Sequence, residues 1–254
     1  MSEAIAQRHW RHFYLMQLSL LAVSALLMLW LFHSTRLDLQ LATPYYDAAH
    51  HTFPWRYAWV TKVLIHHRIK EALIVAGLLV WAIALYARFR RTPRFLAGYQ
   101  RRWWTIALSF ALVPAVIATL RHFSSMHCPW DITDFGGYAP YFDLLGHAPA
   151  GMRAGRCFPS GFTASGAWLL AFALLWYPER KLRSVVVGAL ALTIAFGLGW
   201  AQQMRGAHFL SHTLWSLWIG WEVVLLIHAA CGAWRERDLD PGRAQSPKGT
   251  SFGA

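Results

Sequence analysis

Six apolar runs separated by polar loops are the feature that most constrains what this chain can fold into. A transmembrane helix needs roughly 20 predominantly apolar residues, and only 14% of the 254 residues are charged, whereas about a quarter is usual in a soluble domain. The sequence therefore predicts an all-α integral membrane protein with six transmembrane helices. The predicted spans are residues 14–32, 71–87, 104–120, 163–177, 185–201 and 213–231.

Basic residues set the expected topology. The net charge is +12, but Lys and Arg cluster in short loops between apolar runs, chiefly residues 88–103 and 178–184. The positive-inside rule places such loops in the cytoplasm. We therefore expect both termini in the cytoplasm, and we expect no nucleic-acid partner. Residues 1–231 should form one membrane domain and residues 232–254, which are charged and rich in Pro and Gly, a disordered cytoplasmic tail.

The segment between the first two spans, residues 33–70, is too polar to cross a membrane yet rich in His, Tyr, Trp and Pro. Amphipathic aromatic rings favour the headgroup layer. Its five histidines lack the HxxxH and HExxH spacings of metal sites. An interfacial helix or loop is therefore predicted here, in preference to a metal site.

Polar segments stand at the ends of the later apolar runs, at residues 121–131, 157–163 and 202–212. Polar groups are energetically costly to place within a membrane, so those that occur there usually have a function. A fixed cation, a hydroxyl, free backbone N–H groups and an imidazole are what a site needs to hold and attack a phosphoryl group. The pattern predicts such a site at one membrane surface.

The order and spacing of these segments resemble the type 2 phosphatidic acid phosphatase superfamily, whose motifs read KxxxxxxRP, PSGH and SRxxxxxHxxxD. The middle motif is present as PSGF, ending at Phe162, and RGAHFLSH stands where the third belongs. In the first, Arg121 takes the lysine position and Cys128 precedes the proline. The resemblance covers residues 121–212, and it implies a six-helix phosphatase bundle in the bacterial inner membrane with its active site facing the periplasm.

Carried over residue by residue, the resemblance implies that His208 accepts the phosphoryl group, forming a phosphohistidine, and that His212 stands in the position that orients it. No metal or cofactor is required. Each residue also has a simpler interpretation, as a helix cap or an interfacial anchor. The groups implied to bind phosphate are Arg121, Ser160, the backbone N–H of Gly161, and Arg205.

Two departures from the motifs concern proton transfer and orientation. Phe162 replaces a histidine that takes part in proton transfer, and loss of a general acid typically lowers a rate by roughly 10²–10⁴-fold. His212 replaces an aspartate that orients the nucleophile. The residues that could compensate are His122, His127 and His147 for the acid, and Asp131 and Asp134 for the carboxylate.

The third departure is that Gln202 stands where the family has an arginine, so Arg205 either takes over that role or the role is lost. Cys128 and Cys157 share one loop. If that loop is extracytoplasmic, a disulfide between them is expected; the alternative is two unpaired thiols.

These observations predict a phosphatidic-acid-phosphatase-type enzyme that hydrolyses or transfers the phosphate of a lipid phosphate or diphosphate within the bilayer. The missing acid favours a diphosphate or a sugar 1-phosphate, whose leaving groups are better. The alternative is a catalytically impaired protein of the same fold that binds lipid phosphates or a membrane partner. A transporter ranks last, because Glu222 is the only charged residue that lies away from the end of a predicted span. The sequence leaves the lipid and the oligomeric state open.

Overall fold

The computed structural model describes residues 3–89 and 99–233, and within these ranges the secondary structure is helical, with no β-strand. The all-α prediction is therefore confirmed. The predicted tail, residues 232–254, lies outside the described residues except for its first two, as does most of the basic loop at residues 90–98. The helices are α1 (Glu3–Ser34), α2 (Leu37–Ala42), α3 (Lys70–Phe89), α4 (Gln100–Phe123), α5 (Gly161–Ala167), α6 (Lys181–Met204) and α7 (Leu210–Ala230).

Among the described residues, five helical stretches are long and apolar enough to cross a membrane, which makes this a multi-pass membrane protein. They comprise α1, α3 with the turns before it, α4, α6 and α7. The fourth predicted span differs, because α5 continues only as a 3₁₀-helix over Trp168–Leu175. At the usual rises of about 1.5 and 2.0 Å per residue, this short segment extends about 26 Å. The extended 3₁₀ geometry brings it close to the bilayer thickness of about 30 Å.

The segment formed by α5 and its 3₁₀ extension lies at the centre of the bundle, packed against α4, α6 and α7. A close approach at Gly199 of α6 makes this packing possible. A Cβ at Gly199 would lie 2.2 Å from the Thr213 methyl group and 2.7 Å from the Thr163 hydroxyl. Because no side chain fits there, α6 can contact the first turns of both α5 and α7.

Helix α1 lies on the outside of the bundle and presents Leu18, Leu26 and other large apolar side chains outward. It is attached to α7 by hydrogen bonds. The indole N–H of Trp218 donates to the carbonyl of Leu21 and that of Trp221 to Gln17 Oε1, both at 2.9 Å. Tryptophans at helical spacing in α7 thus bind a neighbouring helix.

The segment between α1 and α3 is interfacial in composition but more helical than its polarity suggests. Helix α2 and two 3₁₀ turns, Thr43–Tyr45 and Pro54–Arg56, are followed by a π-helix over Val60–Ile69 that runs directly into α3. The second long helix therefore begins at Val60 rather than at residue 71. The sequence predicted an interfacial helix or loop here, and the structure has a helix, which can carry polar residues because one face lines a polar cavity.

Candidate active site

A cavity of about 300 Å³ lies at the end of the bundle where α4 and α6 end and α5 and α7 begin. Four residues predicted from the sequence line it, namely Arg121, Gly161, Arg205 and His208. The remaining lining residues are His66, Lys70, Cys128, Trp130, Phe162, Gln202 and Ala207. The structure thus brings three sequence segments to one place.

The charges of this cavity are all positive. Lys70, Arg121 and Arg205 line it, and no acidic residue does so in the described part of the chain. None of the three forms an ion pair with a described carboxylate. Uncompensated cations in a partly buried cavity favour an anionic ligand.

His208 lies in the short loop between α6 and α7 and is 5% exposed. Its Nδ1 is 3.4 Å from Nδ1 of His212, one turn later in α7. Either imidazole can be the donor, depending on the tautomers. His212 is fully buried and does not line the cavity, so it lies behind His208 and can act only through it.

Burial lowers the pKa of His208 well below its usual range, and the neighbouring His212 and Arg121 act in the same direction. A hydrogen bond with the backbone of Cys157 opposes the shift without reversing it. His208 is therefore neutral at physiological pH and keeps a ring nitrogen with a free lone pair. A neutral imidazole with one nitrogen held and the other facing a cavity can act as a nucleophile.

Arg205 follows α6 directly, and its Nη1 donates to Gln202 Oε1 at 3.1 Å. Gln202, which replaces the family's arginine, thus holds the arginine that stands one turn later. Arg205 Nε and Gln202 Nε2 are buried without a hydrogen-bond acceptor in the described residues. Unpaired buried donors are rare, and these two belong to residues that line the cavity.

Arg121 lies in the last turn of α4, where its Nε donates to the carbonyl of Arg156 at 2.7 Å. A Cβ at Gly161 would lie 3.4 Å from Arg121 Nη1. The guanidinium therefore lies over the start of α5. The first N–H groups of a helix have no partner within it, so Gly161 contributes a donor beside this cation.

Ser160 is the N-cap of α5. Its Oγ accepts hydrogen bonds from Thr163 N at 3.4 Å and Thr163 Oγ1 at 2.9 Å. The residue is fully buried and is absent from the cavity wall. In this structure its hydroxyl stabilises the start of α5 and thereby positions Gly161.

Cys128 and Cys157 form a disulfide, with Cα atoms 5.3 Å apart, that joins the loop just after α4 to the loop just before α5. Cys157 Sγ lies 3.5 Å from His208 Nδ1. Together with His212 these side chains are the described chain's one group of potential metal ligands. The sulfur is bonded to Cys128, so two imidazoles remain, fewer than the three protein ligands of a catalytic zinc site.

The compensating residues considered above lie elsewhere. His127 is buried outside the cavity, His147 is exposed, and His122 lines a different groove. The Asp131 carboxylate accepts from the Trp130 indole at 3.0 Å, and Asp134 lies 3.9 Å from Arg36.

Sequence reasoning missed three residues from the interfacial segment. His66 and Lys70 line the cavity, and their four-residue spacing, which puts two side chains on one helix face, was the signal available. The His66 ring stacks on Phe162, with centroids 4.9 Å apart and planes at 2°. Asp38 is buried and accepts from the backbone N–H and the hydroxyl of Ser211 in α7.

A second cavity of about 770 Å³ adjoins the first and shares Lys70, Arg121 and Gly161 with it. Away from these residues it is mostly apolar and runs between α3 and α4. Its apolar wall includes Leu73, Ile74, Phe110, Ala111, Pro114, Ala118 and Trp168.

A family model described as the PAP2 superfamily matches residues 102–236. The match includes both cysteines of the disulfide and the six residues predicted to act in catalysis or phosphate binding. No curated protein and no solved structure matches the chain.

Proposed function

The chain belongs to the PAP2 superfamily of phosphatases and phosphotransferases, and on that premise we propose that it hydrolyses a lipid phosphate or diphosphate through a phosphohistidine at His208. The observation that carries this proposal is the cavity that joins a neutral imidazole with Lys70, Arg121 and Arg205. A phosphate dianion can pair with these cations, which have no carboxylate partner among the described residues, and the imidazole is the nucleophile.

In the first step, a ring nitrogen of His208 attacks phosphorus, and the bond from phosphorus to the leaving oxygen breaks with its electron pair going to that oxygen. We assign Nδ1–H of His208 as the donor to Nδ1 of His212, which leaves Nε2 to attack. Water then attacks the phosphohistidine, the P–N bond breaks, and inorganic phosphate leaves. Arg121, Arg205 and the N–H of Gly161 stabilise charge on the phosphoryl oxygens in both steps.

The adjoining groove supports a lipid as the substrate. It begins at three residues of the phosphate cavity and continues between α3 and α4, where Ile74 is 40% exposed on the bundle surface. An acyl or prenyl chain can lie there while its phosphate reaches His208. Ligand sites combine an apolar wall with a few polar groups in this way.

The disulfide supports an extracytoplasmic site, at the periplasmic face of the inner membrane if the source is a Gram-negative bacterium. Disulfides persist in oxidising compartments and are rare in the cytosol, and the Cys128–Cys157 bond lies at the cavity. The basic turn at residues 178–184 lies at the opposite ends of the helices, where the positive-inside rule favours the cytoplasm.

One observation favours a second candidate function. The cavity wall has a phenyl ring at Phe162, where the family's motif has an imidazole. A protein that lacks proton transfer could bind lipid phosphates without turning them over.

Phosphate release from a panel of lipid phosphates and diphosphates, with detergent-purified protein, tests the proposal. We expect release by the wild type, none by His208→Ala, and wild-type release by His147→Ala, a control on an exposed loop. A labelled phosphoenzyme should be acid-labile, alkali-stable and absent from His208→Ala. Unchanged release by His208→Ala would exclude His208 as the nucleophile, whereas lipid binding without release would favour the second candidate.

A further inference from the structure

The imidazole of His66 lies against the phenyl ring that interrupts the second motif. The two rings are parallel within 2°, with centroids 4.9 Å apart. Phe162 is the second residue of α5, beside Gly161, and both rings line the phosphate cavity. His66 comes from a distant part of the sequence, and it places an imidazole directly against Phe162, the residue that replaces the histidine of the motif.

The backbone holds His66 in this position. It lies in the π-helix Val60–Ile69, which continues into α3 without a break. Thr61 anchors the start of this helix, because its buried hydroxyl donates to the carbonyl of Trp55. π-Helical turns are rare and occur frequently at functional sites.

The His66 ring is half-buried and has no hydrogen-bond partner within residues 3–89 and 99–233. Both ring nitrogens are therefore available to a ligand. Its neighbour His67 differs, since it is exposed and lies outside the cavity wall. The pair provides a candidate and a matched control at adjacent positions.

Given the proposed phosphatase function, we propose that His66 is the general acid of this site and replaces the imidazole that Phe162 lacks. As His208 attacks phosphorus and the bond to the leaving oxygen breaks, the His66 imidazolium gives its proton to that oxygen, and the alcohol leaves neutral. His66 is then neutral and takes a proton from the water that attacks the phosphohistidine. Release of phosphate leaves His66 protonated and His208 free, so the cycle balances.

Charge in the cavity favours this cycle once the substrate is bound. Arg205, Lys70 and Arg121 share the cavity with His66. These groups disfavour a further cation in the empty site. A phosphate dianion introduces two negative charges next to the ring, which favour the imidazolium. Protonation of His66 is thus coupled to substrate binding.

Two substrates with the same chain but different leaving groups test this role. One is a long-chain alkyl phosphate, whose alkoxide must be protonated as it leaves, and the other is a nitrophenyl phosphate carrying the same chain, whose phenolate leaves unaided. The measurement is kcat/KM, because it reports the steps up to departure of the leaving group. We expect His66→Gln to lower kcat/KM for the alkyl phosphate by roughly 10²–10⁴-fold and to leave kcat/KM for the aryl phosphate nearly unchanged. His67→Gln should leave kcat/KM for both substrates unchanged.

The aryl phosphate also reports whether each variant is folded. Equal losses on both substrates would overturn the assignment and give His66 a binding or structural role. A second variant adds an independent criterion, since His66→Gln combined with Phe162→His should recover most of the alkyl phosphate activity. Failure of that rescue, with Phe162→His active on its own, would also overturn the assignment. If the wild type cleaves neither substrate nor any lipid phosphate, the proposed phosphatase function itself is wrong. This result differs from every outcome that concerns His66 alone, because those outcomes require an active wild type.

Discussion

The carboxylate of Asp38 accepts hydrogen bonds from the backbone N–H and the hydroxyl of Ser211, at 2.9 and 2.5 Å, across 173 residues of sequence. Ser211 is the second residue of α7, three positions after His208. The Tyr141 hydroxyl donates to the same carboxylate at 3.3 Å. A buried carboxylate at the first turn of a helix satisfies its free N–H groups and complements its dipole. Asp38 therefore fixes the start of α7, and with it the pair His208 and His212, against the interfacial segment.

The loss of stability on replacing Asp38 should depend on whether the new side chain keeps a hydrogen-bond acceptor. Asp38→Ala leaves the N–H and hydroxyl of Ser211 buried without a partner, and we expect a loss of about 1–3 kcal/mol in stability. Asp38→Asn keeps an acceptor and should lose less. Thermal midpoints of the detergent-solubilised variants measure this order. Equal midpoints for Ala and the wild type would show that α7 does not depend on this contact.

The same carboxylate should make stability depend on pH. Burial raises the pKa of Asp38 to about 6, an effect that exceeds the opposing hydrogen bonds from Ser211 and Tyr141. Because the folded pKa is above the unfolded value of 3.8, the stabilisation is fully present below pH 4 and is lost as pH rises through about 6. The shift corresponds to about 3 kcal/mol. The stability of the wild type relative to Asp38→Asn should therefore fall between about pH 4 and 6 and then level off. A difference that stays constant with pH would contradict the raised pKa.

Local patterns in the sequence predicted the bundle and part of the site. The length and polarity of apolar runs depend only on neighbouring residues, so five of the six predicted spans were found as long apolar helices. Motif order brought Arg121, Gly161, Arg205 and His208 to one end of the bundle, where they line one cavity. The 3₁₀ geometry of Trp168–Leu175 was not predictable, because it depends on packing between three other helices.

The missed contributions are non-local. Asp38 has no neighbour in sequence that marks it as a partner of α7, and composition alone placed His66 in an interfacial helix or loop with no link to the site. Both lie in the segment between α1 and α3, which the family match at residues 102–236 does not include. Only the folded chain brings that segment against the motifs.

The disulfide should support both stability and the site. It joins residues 29 positions apart, and constraining a loop of that size contributes about 3–4 kcal/mol in the chain-entropy model. Replacing Cys128 and Cys157 together with Ser should lower the thermal midpoint and reduce phosphate release, because Cys157 contacts His208. Cys231→Ser, at the far end of α7 from His208, is the control for the substitution and should leave phosphate release unchanged. Wild-type activity in the double variant would show that the bond does not position His208.

Alanine substitutions at two glycines of α6 should change the stability of the protein in opposite directions. A Cβ at Gly199 meets Thr213 and Thr163, whereas a Cβ at Gly197 meets nothing within 4 Å. Gly199→Ala should lose about 1–3 kcal/mol through overpacking, and Gly197→Ala should gain up to about 1 kcal/mol from helix propensity. Thermal midpoints distinguish the two. A stabilised Gly199→Ala would mean that α6 does not approach α5 and α7 so closely.

Arg205 and Gln202 should be able to exchange their roles in part. Arg205→Gln removes a cation from the phosphate cavity, and we expect kcat/KM for phosphate release to fall by roughly 10²–10³-fold, as for loss of one transition-state donor. Gln202→Ala removes the contact that holds Arg205 and one amide of the cavity wall but no charge, and it should lower kcat/KM about tenfold, the equivalent of one hydrogen bond. In Arg205→Gln combined with Gln202→Arg, the cation returns from the last turn of α6, three residues earlier, at the position where the family's third motif carries it. Activity should therefore recover above that of Arg205→Gln. Arg153→Gln removes an exposed arginine outside the cavity and controls for net charge. If the combined variant stays as inactive as Arg205→Gln while remaining folded, position 205 provides geometry that position 202 cannot, and charge alone does not explain the requirement.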